Sequence, residues 1–284
     1  MTLFKKVLDT LPSALVSHAM GRLSDVKFPP AVQKTINRGF VHAMHVDMSD
    51  AVHPVDSFES LNALFTRAIR KDARTADKAS VVSPVDGKIS FAGKISARTL
   101  LHAKGREYDV RTLACLDDTS TCDIHPEWLD DAYAFIIYLA PYNYHRIHAP
   151  VTGNVTHMTY APGRLLPVNR LGYLLTHDLL PANERLTSFL TTPEGKKCAL
   201  VKVGATCVGR ISVKYDDFIT NGVRRVPFNK TLDIPWHTEQ CEELGCFELG
   251  STVVLLLEGN GFQPSRTFEP GETIRLGQAL GNWT

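Results

Sequence analysis

His145 and His148 stand three residues apart in the tract Pro141-Tyr-Asn-Tyr-His-Arg-Ile-His-Ala-Pro150, which follows a strongly apolar run and leads into a turn. Polar side chains at the end of a rigid strand are well placed for chemistry. The pair suits acid–base work, plain hydrogen bonding or the beginning of a metal site. A metal needs further ligands, and the sequence holds neither H-E-x-x-H nor C-x-x-C, so no metal is expected. Asp86 lies in the turn Asp86-Gly87, and Ser251 lies in Glu248-Leu-Gly-Ser-Thr252, directly before an apolar run. Taken singly, each reads as a turn residue. Taken together, Asp86, His148 and Ser251 are the parts of a nucleophile–base–orienter set, which is defined by geometry and not by chain order. The G-x-S-x-G elbow is absent, and no strand-to-helix transition follows Ser251. Two readings stay open on the residues alone. One is a serine hydrolase using Asp86, His148 and Ser251. The other is a non-enzymatic β-sandwich binding module in which Gly250-Ser251 is merely a turn.

The elements that must position these residues are strands. Ala132–Ala140, Lys197–Val203 and Thr252–Leu257 are β-branched or aromatic-rich runs bounded by Gly, Pro or Asn. No alternating βαβ rhythm appears, which argues against a doubly wound parallel sheet and favours an antiparallel sandwich or barrel. A weak internal repeat joins two of the motifs. Ser83-Pro-Val-Asp-Gly-Lys-Ile89 matches Ala149-Pro-Val-Thr-Gly-Asn-Val155 at a spacing of 66 residues. Each copy reads as a Pro-containing turn whose Gly takes positive φ and leads into a strand. The expected class is α+β: a helical region over 1–75, then a β-rich catalytic domain over 76–284.

The helical region has its own character. Residues 1–46 carry six basic and two acidic side chains, a local net of +4, within a 284-residue chain whose formal net charge is +1. Phe4, Val7, Leu8, Leu11, Ala14 and Leu15 recur at helical spacing, as do Val32, Ile36, Phe40, Val41 and Met44 after Pro29-Pro30. These faces suit either packing on the protein's own core or a basic amphipathic surface on an anionic membrane. A third helix is expected at Leu61–Ile69, with Ser57 and Ser60 as candidate caps. The near-zero net charge argues against nucleic acid as a partner. No run of about 18 apolar residues exists to span a bilayer, and the N-terminus does not read as a signal peptide. Six cysteines without a C-x-x-C pair suggest a reduced, cytosol-facing protein.

The motifs in combination resemble the bacterial phosphatidylserine decarboxylase family. Leu249-Gly-Ser-Thr252 followed by an apolar strand is the most specific match. Tyr144-His-Arg-Ile-His-Ala-Pro150 and Pro84-Val-Asp-Gly87 follow, with Tyr160-Ala-Pro-Gly163, Val168-Asn169, Ala182-Asn-Glu-Arg185 and Val203-Gly-Ala-Thr-Cys-Val-Gly209 in the same order. The resemblance implies a proenzyme that cuts itself between Gly250 and Ser251, giving chains 1–250 and 251–284. Ser251 Oγ would attack the Gly250 carbonyl, with His148 as base and Asp86 as its orienter. Ser251 would end as a pyruvoyl group, the self-derived cofactor, with no PLP and no metal. Phosphatidylserine would react through a Schiff base to give phosphatidylethanolamine and carbon dioxide. His145 would orient substrate or deliver a proton. The resemblance further implies a duplicated hybrid β-architecture, peripheral attachment to the cytoplasmic side of the cell membrane, and two cleaved chains that stay together and dimerise further.

Overall fold

The computed structural model describes residues 21–95, 99–102, 106–116, 126–168, 176, 178–205, 210–221, 226–248 and 251–284. The Phe4–Leu15 face, Asn169, the tract 206–209 and Leu249-Gly250 lie outside the described residues. In chain order the strands begin with β1 (Val81–Val82), β2 (Gly87–Lys94), β3 (Thr99–His102), β4 (Arg106–Asp109), β5 (Tyr133–Leu139), β6 (Arg146–His148), β7 (Gly153–Ala161) and β8 (Arg185–Thr191). They continue with β9 (Lys197–Val203), β10 (Arg210–Val213), β11 (Phe228–Thr238), β12 (Glu243–Glu248), β13 (Ser251–Leu257), β14 (Phe262–Pro264), β15 (Thr273–Ile274) and β16 (Ala279–Trp283). Helices α1 (Pro30–Met44) and α2 (Leu61–Phe65) precede them. The chain is α+β, and its named strands pair antiparallel, as the absence of a βαβ rhythm requires.

One sheet of eight strands, in the order β11-β7-β8-β9-β13-β5-β2-β15, organises the rest. β13 runs in its middle and every residue of it is buried. Its side chains alternate between two cores. Val253, Leu255 and Leu257 enter one with Phe135, Ile137 and Leu200, and Val254 and Leu256 enter the other with Ile136 and Val201. A strand covered on both faces has no polar position to alternate with, which is why its sequence reads as one apolar run. A three-stranded sheet, β10-β12-β6, carries the histidine tract beside it.

The repeated turns sit against each other. His148 N–H donates to Pro84 O (2.9 Å) and Val82 N–H to Pro150 O (3.0 Å), positions that correspond under the 66-residue shift. The correspondence extends outward. Ser83 exchanges hydrogen bonds with Gln278 and Gly277, while Ala149 exchanges them with Glu242 and Cys241. Leu276 N–H donates to the Asp86 carboxylate (2.8 Å), and Gln240 N–H donates to the Thr152 hydroxyl at the matching place (3.1 Å). The repeat glycines do not take positive φ as expected. Gly87 and Gly153 open β2 and β7, and each is needed because backbone lies where a Cβ would go: Tyr138 O at 2.6 Å and Thr191 O at 2.5 Å. Positive φ occurs instead in the segments that bond the two turns, at Gly277 (φ 85°) and Cys241 (φ 66°).

Helix α1 starts with Pro30, whose missing N–H costs nothing at a helix start. Its buried side chains are polar. Asn37 Nδ2 donates to the carbonyls of Phe58 (2.8 Å) and Val55 (3.2 Å), and Gln33 Nε2 donates to Asn37 Oδ1 (2.8 Å). These amides satisfy loop carbonyls that no ladder serves. The apolar stripe is divided: Val32 is 48% and Met44 41% exposed, while Ile36, Phe40 and Val41 are half-buried and Phe40 meets the Phe65 ring edge-on. Ser60 caps α2 by accepting the Ala63 N–H, and the helix ends at Phe65, short of Ile69.

Candidate active site

Ser251 is the first residue of β13, opposite Leu139, rather than a turn residue before it. Its Oγ is fully buried and has no hydrogen-bond partner among the described residues. A buried hydroxyl that the fold leaves unused is uncommon and calls for a reason. His148 closes β6 and lies opposite Glu243 of β12. Its Nδ1 lies 2.8 Å from Cys241 O and its Nε2 lies 2.9 Å from the Tyr144 hydroxyl. A carbonyl only accepts, so Nδ1 carries the proton and Nε2 offers its lone pair to the Tyr144 O–H. Burial lowers the His148 pKa from the ordinary histidine range, and the Cys241 carbonyl and the Glu243 and Asp86 charges oppose this in part. The ring is therefore neutral at pH 7, in the tautomer a general base requires. Burial also pushes the Tyr144 phenol up, so it remains a donor.

His145 is completely buried under Phe65 of α2, with ring centroids 4.0 Å apart. Its Nδ1 donates to Asn143 O (2.9 Å), and its Nε2 has no partner. Burial lowers its pKa to about 3. In this arrangement the bare imidazole nitrogen belongs to His145, whereas that of His148 is occupied by Tyr144. The shift has a consequence for stability. The unfolded chain binds a proton on His145 near pH 6.5, while the native chain resists it until about 3. Stability from this group is complete above pH 6.5 and is lost as pH falls, at up to ~1.4 kcal/mol per pH unit. Urea midpoints should fall steeply between pH 6 and pH 4, a range fixed by that same lowering, and His145→Asn should flatten the slope. An equal slope in the variant would contradict the assignment.

Asp86 is buried, but its carboxylate accepts from Arg74 and from the Leu276 N–H and not from His148. Arg74 Nε and Nη2 donate to its two oxygens (3.1 and 2.6 Å), and Arg74 Nη1 reaches Asp50 (2.7 Å). The turn that carries Asp86 is thus tied to His148 at the backbone, through His148 N–H and Pro84 O, and among the described residues no hydrogen bond joins Ser251 Oγ to either. The group that orients the His148 ring is the Cys241 carbonyl, and Asp86 acts on it by charge. Residues 62–67 clasp the tract from the other side. Arg146 Nε donates to Thr66 O (3.0 Å), and the buried Arg67 reaches the Tyr142 and Asn143 carbonyls (3.3 and 3.5 Å). Asp86, Arg67, Arg74 and Tyr144 line a cavity of about 160 Å³. A larger one, about 550 Å³, is lined by Glu194, Lys196 and Trp283 and touches none of the candidate residues.

Tyr144, Arg74 and Arg67 escaped a role in the sequence reading, although Tyr144 lies inside the histidine tract. Lys202 escaped too. It is buried opposite Val253, donates to the Ser188 hydroxyl and is lowered by burial to about 7. The Cys241 carbonyl carries no sequence signal at all. Among the described residues no cluster of three or more metal-ligating side chains occurs.

Comparison with known proteins gives the family. The family model for phosphatidylserine decarboxylase matches residues 61–282. Proteins named phosphatidylserine decarboxylase proenzyme are similar over nearly the whole chain. The one from Anaeromyxobacter sp. is 37% identical over 283 residues, covering 98% of this chain and 98% of that protein. That from Myxococcus xanthus is 35% identical, covering 98% and 97%, and that from Brevibacillus brevis is 35% identical, covering 96% and 95%. A match from α2 to the last strand includes every candidate residue discussed above, and on that ground the chain belongs to the phosphatidylserine decarboxylase family.

Proposed function

We propose that the chain cuts itself between Gly250 and Ser251 and then decarboxylates phosphatidylserine to phosphatidylethanolamine. The observation that carries this reading is the Ser251 hydroxyl, fully buried and without a partner at the head of a central strand. A hydrolase nucleophile has to meet a substrate from solvent, and this one is closed off. A nucleophile whose target is the preceding carbonyl of its own chain needs no access.

His148 Nε2 takes the Ser251 proton once Tyr144 yields its place, and the Cys241 carbonyl holds the ring in the required tautomer. Ser251 Oγ bonds to the Gly250 carbonyl carbon, and the backbone amide becomes an ester with a free amine on residue 251. Loss of the α-proton and of the Gly250 carboxylate leaves dehydroalanine. Water replaces the nitrogen, and ammonia leaves. Ser251 therefore fits as the source of a pyruvoyl cofactor, with no PLP and no metal required. That group supplies a sink for the electron pair left behind by carbon dioxide. The bare Nε2 of His145 suits orienting substrate or moving a proton at its α-carbon. Borohydride with substrate should attach an amine to the short chain, while chelators and added PLP leave turnover unchanged. Full loss with a chelator, restored by one metal, would overturn this.

The two products would remain a heterodimer. Chain 251–284 supplies β13, which pairs with both β5 and β9 of the long chain, and β16, which pairs with β1. The paired hydrogen bonds of the two repeats support a duplicated hybrid-type β domain following a helical region. Further dimerisation is part of the same reading.

Docking is proposed to be peripheral, on the cytoplasmic face of the cell membrane. No helix among the described residues is long and apolar enough to cross a membrane. The exposed Val32 and Met44 on α1, beside the half-buried Ile36 and Phe40, support a helix that lays its apolar stripe on lipid. Lys34 on the same helix would add attraction to anionic headgroups, whereas Arg38 is already paired with Asp56. Val32→Ser with Met44→Ser should weaken binding to anionic vesicles severalfold while leaving self-cleavage and thermal unfolding unchanged. Lower thermal stability with normal vesicle binding would mean that the stripe serves packing instead.

A further inference from the structure

β12 ends at Glu248 in the three-stranded sheet, and β13 begins at Ser251 in the eight-stranded one. Two residues carry the chain between the sheets, and the bond proposed to break lies at the end of that crossing. The geometry of the crossing depends on how its two ends are fixed. Ser251 is held by its ladder position opposite Leu139. Glu248 is the last ladder residue of β12, directly opposite Arg210 of β10. Its side chain is also the centre of a polar cluster. Arg210 Nε donates to Glu248 Oε2 at 2.5 Å, and Arg210 Nη2 donates to Asp25 Oδ2 at 2.6 Å. Asn62 Nδ2 donates to both carboxylates, at 2.9 Å to Asp25 and 3.2 Å to Glu248. Arg210 and Asn62, far apart in sequence, therefore converge on one residue beside the cleavage point, and Asp25 bridges the two.

Folding alone accounts poorly for this cluster. Arg210 and Asp25 are each 39% exposed, and ion pairs that open to water contribute little stability. What the cluster does supply is position. Attack of a hydroxyl on a carbonyl needs the reacting atoms about 3–3.5 Å apart and aligned, and a displacement of about 1 Å costs on the order of a hundredfold in rate. At Glu248 the ladder is one-sided, because β12 pairs there with Arg210 of β10 while its pairing with β6 stops at Cys246. Asn62 adds a second constraint, because it lies on α2, the helix that packs Phe65 on His145. The cluster thereby fixes Glu248 and the histidine tract to the same short helix.

We infer that Arg210 and Asn62 are positioning residues for self-cleavage: they hold Glu248, and through it the scissile peptide, within reach of Ser251 Oγ. The inference rests on the self-processing reading above. Neither residue touches the reacting atoms, and both act through Glu248.

The test follows the appearance of the two chains on denaturing gels after synthesis of the full chain. Arg210→Ala should slow it about tenfold to a hundredfold. The side chain it removes is half open to water, so millimolar methylguanidinium should restore much of the rate. Glu248→Gln should slow cleavage as well, and the Arg210→Ala/Glu248→Gln double variant should be no slower than the slower single, because both remove one contact. Arg266→Ala breaks an exposed ion pair with Glu272 far from the crossing and should cleave at the native rate. If Arg210→Ala folds poorly, the near-isosteric Glu248→Gln decides alone. Native rates in Arg210→Ala and Glu248→Gln, or losses that multiply in the double variant without rescue, would overturn the inference. A native chain that never divides would instead overturn the self-processing reading itself.

Discussion

Ser251→Ala should remain one polypeptide of 284 residues, with no carbonyl for borohydride and substrate to trap. The expected loss is complete, because no other side chain can stand in for the missing oxygen. The neighbouring hydroxyl, Thr252, projects to the opposite face of the sheet, since successive strand residues alternate. The same substitution should not harm the fold. It removes a buried hydroxyl that has no partner, and such a group costs about 1–3 kcal/mol to bury unsatisfied. The variant should therefore unfold at a higher temperature than another uncleaved form such as His148→Ala. A dead protein that is also less stable than that reference would mean the hydroxyl holds the sheet together, and the chemical reading would lose its main support.

His148→Ala should slow the appearance of the two chains by about 10²–10⁴-fold, the usual contribution of a positioned general base. Burial lowers the His148 pKa, so the base form persists below the ordinary histidine range. The native cleavage rate should stay level from pH 8 down through pH 6.5 and fall only in more acidic solution. Tyr144→Phe separates two roles for the tyrosine. The hydroxyl occupies His148 Nε2 at 2.9 Å, so removing it frees the base and cleavage should continue. If Tyr144→Phe abolishes cleavage while His148→Ala tolerates it, the tyrosine and not the histidine handles the serine proton. Asp86→Asn should have a smaller effect than His148→Ala, because Asp86 is bonded to Arg74 and acts on the ring through its charge.

The strands were readable wherever burial leaves a strong local pattern. Lys197–Val203 has the bounds its residues suggest, and the apolar run after Ser251 is one continuous strand because two cores share it. The turn repeat was readable as well, but for a different reason than turn chemistry suggests. Gly87 and Gly153 are required by backbone atoms of distant strands, which no local window contains. Helix α1 was legible as a helix, and its buried side was not. Periodicity points to Val32, Ile36, Phe40, Val41 and Met44, of which Phe40 meets Phe65, whereas the buried side chains are Gln33 and Asn37, with Asn37 bonded to loop carbonyls. The residue types at the site were legible in the same partial way. Ser251, His145, His148 and Asp86 could be nominated by type and order. That the His148 ring is held by Cys241 O could not, because every residue has a carbonyl and only the left-handed backbone at Cys241 aims this one. Arg210 and Asn62 converge on Glu248 from positions 38 and 186 residues away, which sequence order hides entirely.

The central claim is that this chain converts its own Ser251 into a carbonyl group, and the intact masses of the purified polypeptides test it most directly. The account predicts two species, 1–250 with an ordinary carboxylate and 251–284 lighter than its unmodified sequence by one ammonia. Their sum should exceed the uncut chain by one water less one ammonia. A single species at the full mass, or a short chain at its unmodified mass with the sum heavier by a whole water, would mean an intact protein or plain proteolysis, and either result would contradict the account.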